Sequence, residues 1–466
     1  MVGSFFNFLD LPEYYDDKLL LRVVREPSTP ASAGAFASQS SLLTSLQDDG
    51  TILKVTPIRV QQTECLSMAV GAAGLTHAEE PSIETVASIA ELKTGSLRKV
   101  LRQLGDEDGV EVERLPIRYL CATPAAIPPR EGPLWNFERI QWEESRNLQN
   151  VKQATDITVA VLDTGIEAEH PDLAGRIESY DYSHPLQHLM SEKDLHGHGT
   201  HVAGIVGAVT NNGYGIHGVC ECRLKVWKIF RDDPQFIAGQ NMFCYVVDPV
   251  AYIQALDACL ISSVNVLNLS IGGLGKPSSE EESAIKALVA NGTTVVAAMG
   301  NERMFGSPLS YPAAIPGVIA VGATNLNDRV TSFSSRGGHI SLCAPGQAIW
   351  STLPSYPGQI GFLPKRTNQK KGSKTKPEPD LEKPITRERN YDAWNGTSMA
   401  APHVAGAVAL LLANRGKDSP DRVREALEDS ADVVQPMKDD AKGNDKDSER
   451  NKDYGAGRLN LLKLLQ

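Results

Sequence analysis

The spacing of apolar and polar residues divides the chain into two parts that follow different patterns. The first part predicts a helix at ETVASIAELKTGSLRKVLRQL, and it predicts strands at DKLLLRVV, TILKVTPIRV and GVEVERLPIRYL. Strands and helix mixed in this way indicate a small α+β N-terminal domain, residues 1–127. The proline- and alanine-rich stretch CATPAAIPPREGP predicts the linker to the rest of the chain, residues 128–466.

From Asp156 onward, predicted strands and helices alternate. Apolar runs rich in β-branched residues predict strands at ITVAVLDTG, LKVWKIF, VNVLNLSIGG, TTVVAAMGN and GVIAVGAT. Helical spacing predicts helices at GTHVAGIVGAV, VAYIQALDACL and EEESAIKALVANG. This alternation indicates an α/β fold, with a mostly parallel central sheet covered by helices on both faces. In such sheets the functional groups gather beyond the carboxyl ends of the strands.

Two strongly polar segments interrupt the second part. Residues 358–390 contain nine Lys or Arg and four Asp or Glu, and residues 438–453 contain six acidic and five basic residues. Both compositions predict solvated, mobile loops. Three interpretations stay open for the basic insertion 358–390: a lid, a partner site, or a surface insertion without a role.

Composition narrows the class of protein. The chain has 466 residues, 41% of them hydrophobic and 22% charged, as in globular proteins of more than one domain. A net charge of −11 argues against nucleic acid as a partner, and no apolar run reaches the length that spans a bilayer, so no membrane is expected. The N-terminal sequence lacks the features of a secretory signal. Seven scattered cysteines favour reduced thiols, so we expect a cytoplasmic protein.

The segment DLHGHGTHVAG, residues 194–204, places three histidines within six positions: His196, His198 and His201. Such spacing could supply zinc ligands, but a zinc site also needs a carboxylate or thiolate ligand and, for hydrolysis, an open coordination position. The chain contains no H-E-x-x-H metalloprotease motif. A histidine that opens a helix can instead move protons, and His198 stands at that position.

Two further groups complete a set that supports nucleophilic catalysis. Asp163 directly follows a predicted strand, and Ser398 lies at the start of a helix of small residues. A serine hydroxyl needs a base to take its proton, and the base needs a carboxylate to orient it. Asp163, His198 and Ser398 supply these types in one of the chain orders known for this triad. Asn301, after another strand, could donate to an oxyanion.

The segments VAVLDTGI, HGTHVAG, VLNLSIGG, VVAAMGN and NGTSMAAPHVAG resemble the motifs of the subtilisin-like serine proteases, the subtilases. The resemblance runs from about Trp135 to Leu459. It implies Asp163 as the orienting acid, His198 as the general base, Ser398 as the nucleophile and Asn301 as the oxyanion donor. His196 and His201 are then structural. It also implies a substrate cleft that binds a peptide as an added strand, lined by Ser270, Ile271, Gly272, Gly273, Ala298, Met299, Gly300 and Ser310.

The function that this resemblance implies is serine endopeptidase, acting on proteins or peptides through an acyl-enzyme without a cofactor for the chemistry. Two alternatives stay open: a dedicated processing protease for a single precursor peptide, and a non-catalytic binding protein on the same scaffold. Ser310 is expected at the base of the first specificity pocket and Glu302 at its rim, which suggests an uncharged pocket that tolerates basic side chains.

Two more expectations come from the resemblance. EHPDLAG and TNNGYGIHG resemble the segments of the bacterial subtilisin calcium site, which implies a structural calcium held by Asp172, Thr210, Asn212, Tyr214 and Ile216. Glu131 is a candidate for the remaining ligand. The N-terminal domain suits a propeptide that acts as an intramolecular inhibitor, with a fused regulatory domain as the alternative. A propeptide would be cut near Thr123 to Ala126, away from the prolines that follow.

Overall fold

The computed structural model of the protein describes nine segments of the chain: residues 12–25, 41–63, 83–107, 109–125, 134–183, 189–237, 241–365, 377–434 and 451–466. Several positions considered above lie outside these residues. They are the first eleven residues, Cys65, residues 126–133 of the linker with Glu131, residues 366–376 of the basic insertion, and residues 438–450 of the second polar segment.

Residues Tyr14–Pro116, with Pro277–Glu280, form one of two compact units. Its elements are β1 (Tyr14–Arg25), α1 (Ser41–Asp48), β2 (Ile52–Thr63), β3 (Ile83–Leu92), α2 (Leu97–Leu104) and β4 (Val110–Pro116). The strands form one antiparallel sheet in the order β2-β3-β1-β4. Leu19, Leu21, Val100 and Leu104 are buried in the core between this sheet and the helices. The predicted α+β class is confirmed.

The helix predicted at ETVASIAELKTGSLRKVLRQL is wrong over its first half. ETVASIAEL belongs to β3, which pairs with β1 on one side and with β2 on the other, and only LRKVLRQL forms the helix α2. The apolar spacing of ETVASIAEL fits either element, and pairing on both edges decides for the strand. Gly95, at a φ of 84°, makes the turn between them.

The second unit contains residues 117–276 and 281–466. Its strands are β5 (Tyr119–Leu120), β6 (Thr123–Pro124), β7 (Thr158–Asp163), β8 (Ile177–Asp181), β9 (Arg223–Lys228), β10 (Gln235–Ile237), β11 (Met242–Cys244), β12 (Val266–Leu269), β13 (Ile271–Gly272), β14 (Thr294–Ala298), β15 (Ile319–Thr324), β16 (Ile340–Pro345), β17 (Ile349–Thr352), β18 (Gln359–Pro364), β19 (Pro379–Thr386) and β20 (Tyr391–Asn395). Seven of them form a parallel sheet in the order β16-β15-β14-β12-β7-β9-β8. The predicted α/β fold is confirmed.

The helices of this unit are α3 (Trp135–Arg139), α4 (Trp142–Arg146), α5 (His198–Gly207), α6 (Pro249–Ile261), α7 (Ser279–Ala290, from Glu281 onward), α8 (Thr397–Arg415), α9 (Pro420–Asp429) and α10 (Leu461–Leu465). Helix α8 crosses the core with its first sixteen residues buried. Among the described residues, α8 is the one helix that is long and apolar enough to cross a membrane, judged by length and composition. Such a helix was not expected from the sequence. Because 89% of its most apolar window is buried inside the protein, α8 is a core helix.

The basic insertion 358–390 is only partly the loop that its composition predicts. Its described residues form β18 and β19, which join β10 and β11 in a separate antiparallel sheet in the order β10-β11-β18-β19. Arg387, at the end of the insertion, is buried, and its guanidinium is satisfied there by donating to the carbonyls of Leu195 and Pro354. A charged segment therefore forms strands when another part of the chain pairs with it.

The cysteines within the described residues are free thiols: Cys121, Cys220, Cys222, Cys244, Cys259 and Cys343. Five of them are buried, and Cys244 is partly exposed. Burial raises the pKa of the Cys222, Cys259 and Cys343 thiols, which favours the protonated form. Packing inside the core therefore accounts for most of these side chains.

Candidate active site

An aspartate and a histidine meet at the carboxyl end of the parallel sheet. Asp163 is the last residue of β7, and His198 is the first residue of α5. His198 Nδ1 lies 2.7 Å from Asp163 Oδ1, and both side chains are fully buried. A carboxylate only accepts, so Nδ1 carries the proton and donates it. His198 Nε2, left as the basic nitrogen, has no hydrogen-bond partner among the described residues.

Ser398 lies in the first turn of α8, which brings it to the same end of the sheet. Its Oγ donates to the carbonyl of Ser270 at 2.7 Å, and Ser270 Oγ donates in return to the carbonyl of Ser398 at 2.8 Å. Ser398 Oγ therefore makes no hydrogen bond to His198 Nε2 in this structure. Bonds between nucleophile and base often tighten only when substrate is bound. Attack requires the hydroxyl to leave the Ser270 carbonyl.

Asn301 is oriented by the residue that precedes the serine. Its Oδ1 accepts from the backbone N–H and from the hydroxyl of Thr397, each at 3.0 Å. A backbone N–H can only donate, so the Asn301 atom that meets the Thr397 N–H is the amide oxygen. The NH₂ end of Asn301 therefore points away from Thr397. The backbone N–H of Ser398 is a second donor beside it. Two such donors are what stabilisation of a tetrahedral oxyanion needs.

The cleft beside Ser398 contains a segment of the chain itself, residues 118–124. β5 pairs antiparallel with β13, so Leu120 faces Ile271 and Tyr119 faces Gly272. The carbonyl of Cys121 accepts from the N–H of Ser398 at 3.3 Å. On the other side of that carbonyl, β6 pairs with β20. The segment is bound as an added strand on both sides of the peptide bond between Cys121 and Ala122.

Glycine is required where this segment passes closest to the serine. Gly396, at a φ of 153°, lies so near the Cys121 carbonyl and the Ala122 Cα that a side chain on it would collide with both. A Cβ on Gly272 would likewise meet the Cys121 Sγ and the Ser310 Oγ. The predicted lining residues Gly272 and Ser310 therefore lie together around the Cys121 side chain.

The other predicted lining residues divide into two groups. Ser270, Ile271 and Gly273 flank the bound segment, and the Gly273 carbonyl accepts from the Tyr311 N–H. Ala298 and Met299 are buried at the end of β14, and Met299 N–H donates to the neighbouring strand. Gly300 N–H donates to the Thr397 hydroxyl at 3.1 Å. This second group supports the Asn301 side of the cleft through its backbone.

Glu302 lines the cavity beside Cys121 and is only 5% exposed, whereas the sequence analysis expected it at the rim. The Ser335 hydroxyl donates to its Oε2 at 3.0 Å. Burial raises the pKa of Glu302 to about 7, and the Ser335 hydrogen bond opposes that shift. The cavity beside Cys121 therefore contains a carboxyl group whose pKa lies near neutral pH.

Asp194, which the sequence analysis did not single out, orders the loop before His198. Its carboxylate accepts from the Thr164 hydroxyl, from the Gly197 N–H and from both the N–H and the hydroxyl of Thr200. Burial alone would raise the pKa of Asp194, but these hydrogen bonds outweigh burial and hold the pKa below its usual value. The signal in the sequence is an aspartate four residues before the helix start, close enough to accept from free N–H groups of the first turn.

The other two histidines of the motif have separate surroundings. His201 Nε2 lies 3.1 Å from the carbonyl of Asp392, and its ring stacks on Trp394. The ring of His196 meets Tyr245 and Trp394 edge-on. Burial lowers the pKa of His196 and of His201 to about 3, so both are neutral at ordinary pH. Within the described segments, no three His, Cys, Asp or Glu side chains cluster as metal ligands.

Of the residues predicted to hold calcium, Asp172 lies on one segment and the other four lie within residues 210–216, where the Asn212 amide and the Ile216 N–H both point at the Asp172 carboxylate. Asp172 Oδ1 accepts from the Asn212 side-chain amide at 2.8 Å, and Oδ2 accepts from the Ile216 N–H at 2.8 Å. The Tyr391 hydroxyl also donates to Oδ2. The Thr210 hydroxyl donates to Glu221, and Tyr214 is exposed. Calcium needs converging oxygens, so this arrangement fits a hydrogen-bonded loop rather than a formed calcium cage.

A parallel α/β sheet with an Asp–His pair at its carboxyl edge and a serine at a nearby helix start defines a subtilisin-like fold and site. The model of the family described as the subtilase family, Peptidase_S8, matches residues 154–457. The chain therefore belongs to the subtilase family, and the resemblance noted in the sequence is confirmed.

Individual relatives agree with this assignment. The chain is similar to subtilisin E from Bacillus subtilis (strain 168), at 32% identity over 283 residues, 59% of this chain and 61% of that protein. It is also similar to the thermophilic serine proteinase of Bacillus sp. (strain AK1), at 32% identity over 353 residues, 74% of this chain and 73% of the relative. The chain also matches subtilisin amylosacchariticus, and here too it spans 61% of the relative's length.

A solved structure supports the fold. The crystal structure of fervidolysin from Fervidobacterium pennivorans, a keratinolytic enzyme related to subtilisin, matches with a TM-score of 0.62 and 24% sequence identity. The match covers 100% of this chain and 62% of the fervidolysin chain.

Proposed function

We propose that this chain is a serine endopeptidase that hydrolyses peptide bonds in proteins or peptides through an acyl-enzyme. The observation that supports it best is the register of the bound segment. A peptide carbonyl, that of Cys121, accepts from the backbone N–H of Ser398 while strands hold the chain on both sides of it. Family membership and the 2.7 Å contact between Asp163 and His198 support the same function.

In the proposed reaction, Ser398 Oγ attacks the peptide carbonyl carbon and its proton passes to His198 Nε2. Asp163 stabilises the imidazolium that forms, because its Oδ1 already accepts from Nδ1. The N–H of Ser398 and the amide of Asn301 stabilise the oxyanion. The C–N bond breaks and His198 protonates the leaving amine. Water then attacks the ester carbon and gives a proton to His198. The bond between that carbon and Ser398 Oγ breaks, and His198 returns the proton to the serine oxygen as the carboxylic acid leaves.

The N-terminal unit is proposed as a propeptide that inhibits the enzyme within the same chain. The segment that follows it in sequence occupies the cleft, so a substrate cannot bind there until that segment leaves. We propose that the chain cuts itself between Cys121 and Ala122, because that carbonyl lies at Ser398. From the sequence alone the cut is expected two or more residues later, near Thr123 to Ala126, since proline positions do not reveal the register.

A fluorophosphonate probe tests the proposal. The wild-type protein is expected to form a covalent adduct with the probe and to yield a new N-terminus at Ala122. The Ser398→Ala protein should neither react nor lose its N-terminal unit. Folded wild-type protein that does not react with the probe would indicate a binding protein on the subtilase scaffold. A whole, fully active wild-type chain would indicate a fused accessory domain.

A structural calcium at the Asp172 loop stays a prediction, to be tested separately from activity. Asp172 and Asn212 would supply side-chain oxygens, the latter after its amide turns over, and the chemistry itself would not use the ion. If calcium binds, EDTA lowers the melting temperature of the Ser398→Ala protein, and added calcium restores it. A melting temperature that does not change with EDTA would show that the hydrogen-bonded loop needs no metal.

A further inference from the structure

The side chain of Arg118 is buried in a pocket of the subtilase unit that is built to receive a guanidinium group. Its Nε donates to Glu281 Oε1 at 2.9 Å, and its Nη2 donates to Glu281 Oε2 at 2.7 Å. Its Nη1 donates to the carbonyl of Gly275 at 2.9 Å. Arg118 and Glu281 are each only 2% exposed. Two parallel bonds between a planar fork and a carboxylate are the geometry that arginine recognition uses.

The position of this pocket along the cleft follows from the main-chain register. The Cys121 carbonyl lies at Ser398, so Cys121 is the first residue before the bond that would be cut and Arg118 is the fourth. The carbonyl of Arg118 accepts from the Val247 N–H at 3.1 Å. The backbone of Arg118 is therefore bound as part of the added strand, and its side chain enters the pocket from a substrate position.

Resting on the proposed function, we infer that Glu281 forms a specificity subsite that selects substrates with arginine four residues before the scissile bond. The pocket is part of the subtilase unit and stays when the segment 118–121 leaves. The Tyr252 hydroxyl, which donates to Glu281 Oε1 at 3.3 Å, helps to orient the carboxylate. The neutral Tyr252 phenol does not neutralise the charge of the Glu281 carboxylate. A substrate arginine would therefore replace Arg118 as the charged partner of Glu281.

Arginine should be preferred over lysine and strongly over neutral residues. A lysine ammonium is a point charge and cannot make the two parallel bonds to Glu281 together with the bond to Gly275. A leucine would leave the carboxylate buried without the guanidinium, which costs at least about 30-fold in binding at comparable sites. A glutamate at the fourth position would add repulsion to that loss.

Hydrolysis of short peptides by the self-cleaved wild-type enzyme tests the inference. Internally quenched peptides based on RYLAAT follow residues 118–123, with alanine in place of the oxidisable cysteine, and carry Arg, Lys, Leu or Glu at the first position. We expect kcat/KM for the arginine peptide to exceed that for the leucine peptide by at least about 30-fold, with lysine between them. Equal rates for arginine and leucine would overturn the inference while the peptidase function stands.

Variants assign the preference to the carboxylate. Glu281→Gln should reduce the arginine-to-leucine ratio to below about threefold, because an amide does not pair with a guanidinium as a charge. The matched control is Glu282→Gln, which changes the neighbouring, partly exposed glutamate and should keep the full ratio. A ratio that survives in Glu281→Gln would assign the selection to another residue and overturn the inference.

A second measurement does not depend on catalysis. In the uncut Ser398→Ala chain, Arg118→Leu should speed amide hydrogen exchange over residues 119–121 by at least about tenfold, because the segment loses its side-chain anchor. Arg98→Leu, at an exposed arginine, is the control. If the wild-type chain neither reacts with fluorophosphonate nor cuts peptides, the proposed function has failed. Even in that case, an unchanged amide exchange rate over residues 119–121 in Arg118→Leu would overturn recognition of arginine by the pocket. A faster exchange rate would support it.

Discussion

The stability of this protein should depend on pH through Glu302, the buried carboxyl group of the cavity beside Cys121. The pKa of Glu302 rises from an ordinary value of 4.5 to about 7 in the folded chain, chiefly through burial. The folded state therefore favours the protonated acid. Its stabilising contribution is complete below pH 4.5 and is lost as the pH rises through 7.

The size of the effect follows from the shift. The difference between 7 and 4.5 is 2.5 pH units. At about 1.36 kcal/mol per unit, the free energy of unfolding falls by about 3 kcal/mol between pH 4.5 and pH 8 on account of this group alone. Glu302→Gln stays neutral at every pH and can still accept the Ser335 hydrogen bond. The variant should match its parent near pH 4 and be more stable by about 3 kcal/mol at pH 8.

Thermal unfolding followed by tryptophan fluorescence measures this difference. Both proteins carry Ser398→Ala so that self-digestion does not end the experiment, and the melting temperatures are compared from pH 4 to pH 9. We expect Glu302→Gln to gain about 5 °C over the parent at pH 8. Glu425→Gln, at an exposed position on α9, is the control and should show no pH-dependent difference. A Glu302→Gln difference that is flat with pH, or negative at pH 8, would refute the reasoning.

Three further predictions concern the site and the loop that supports it. Asn301→Ala should lower kcat by about 10²–10³ with little change in KM, because in the proposed mechanism its amide donates only to the oxyanion; an equal loss of substrate binding would contradict that role. Asp163→Asn should lower kcat by about 10⁴, since an amide can stabilise the wrong tautomer of His198, and circular dichroism should show an unchanged fold. Arg387→Ala should lower the free energy of unfolding by about 2 kcal/mol, because the guanidinium bonds to the Leu195, Pro354 and Asp194 carbonyls are lost, and an unchanged melting temperature would show that these bonds contribute nothing.

Five of the seven strands of the parallel sheet could be predicted from sequence because they are short, continuous apolar runs, whereas the mostly polar edge strand β8 and the strand β16 were not predicted. VNVLNL and TTVVAA are buried on both faces in β12 and β14, so their pattern is unambiguous. ETVASIAEL could not be assigned, since its spacing fits a helix as well as the central strand β3. The strands β18 and β19 could not be predicted either, because pairing with a distant segment, and not their own composition, holds them in place.

The candidate site shows the same division. Asp163, His198 and Ser398 each lie directly at the end of a predicted element, so the sequence predicts that they meet. Glu281 is one of three consecutive glutamates near the start of a helix, and nothing local distinguishes it from its partly exposed neighbour Glu282. Its role follows only from the register that places Arg118 opposite it. Long-range pairing carries information that spacing along the chain does not.

That register also bears on why self-cleavage would not by itself open the cleft. A cut between Cys121 and Ala122 leaves β5 paired with β13 and Arg118 paired with Glu281 on one side, and β6 paired with β20 on the other. None of these contacts depends on the peptide bond between Cys121 and Ala122, so all of them can persist after the cut. The new carboxylate at Cys121 would still face the Ser398 N–H. Release of the N-terminal product, rather than its formation, should therefore limit activation, and the buried Arg118–Glu281 pair should be the contact that slows it most.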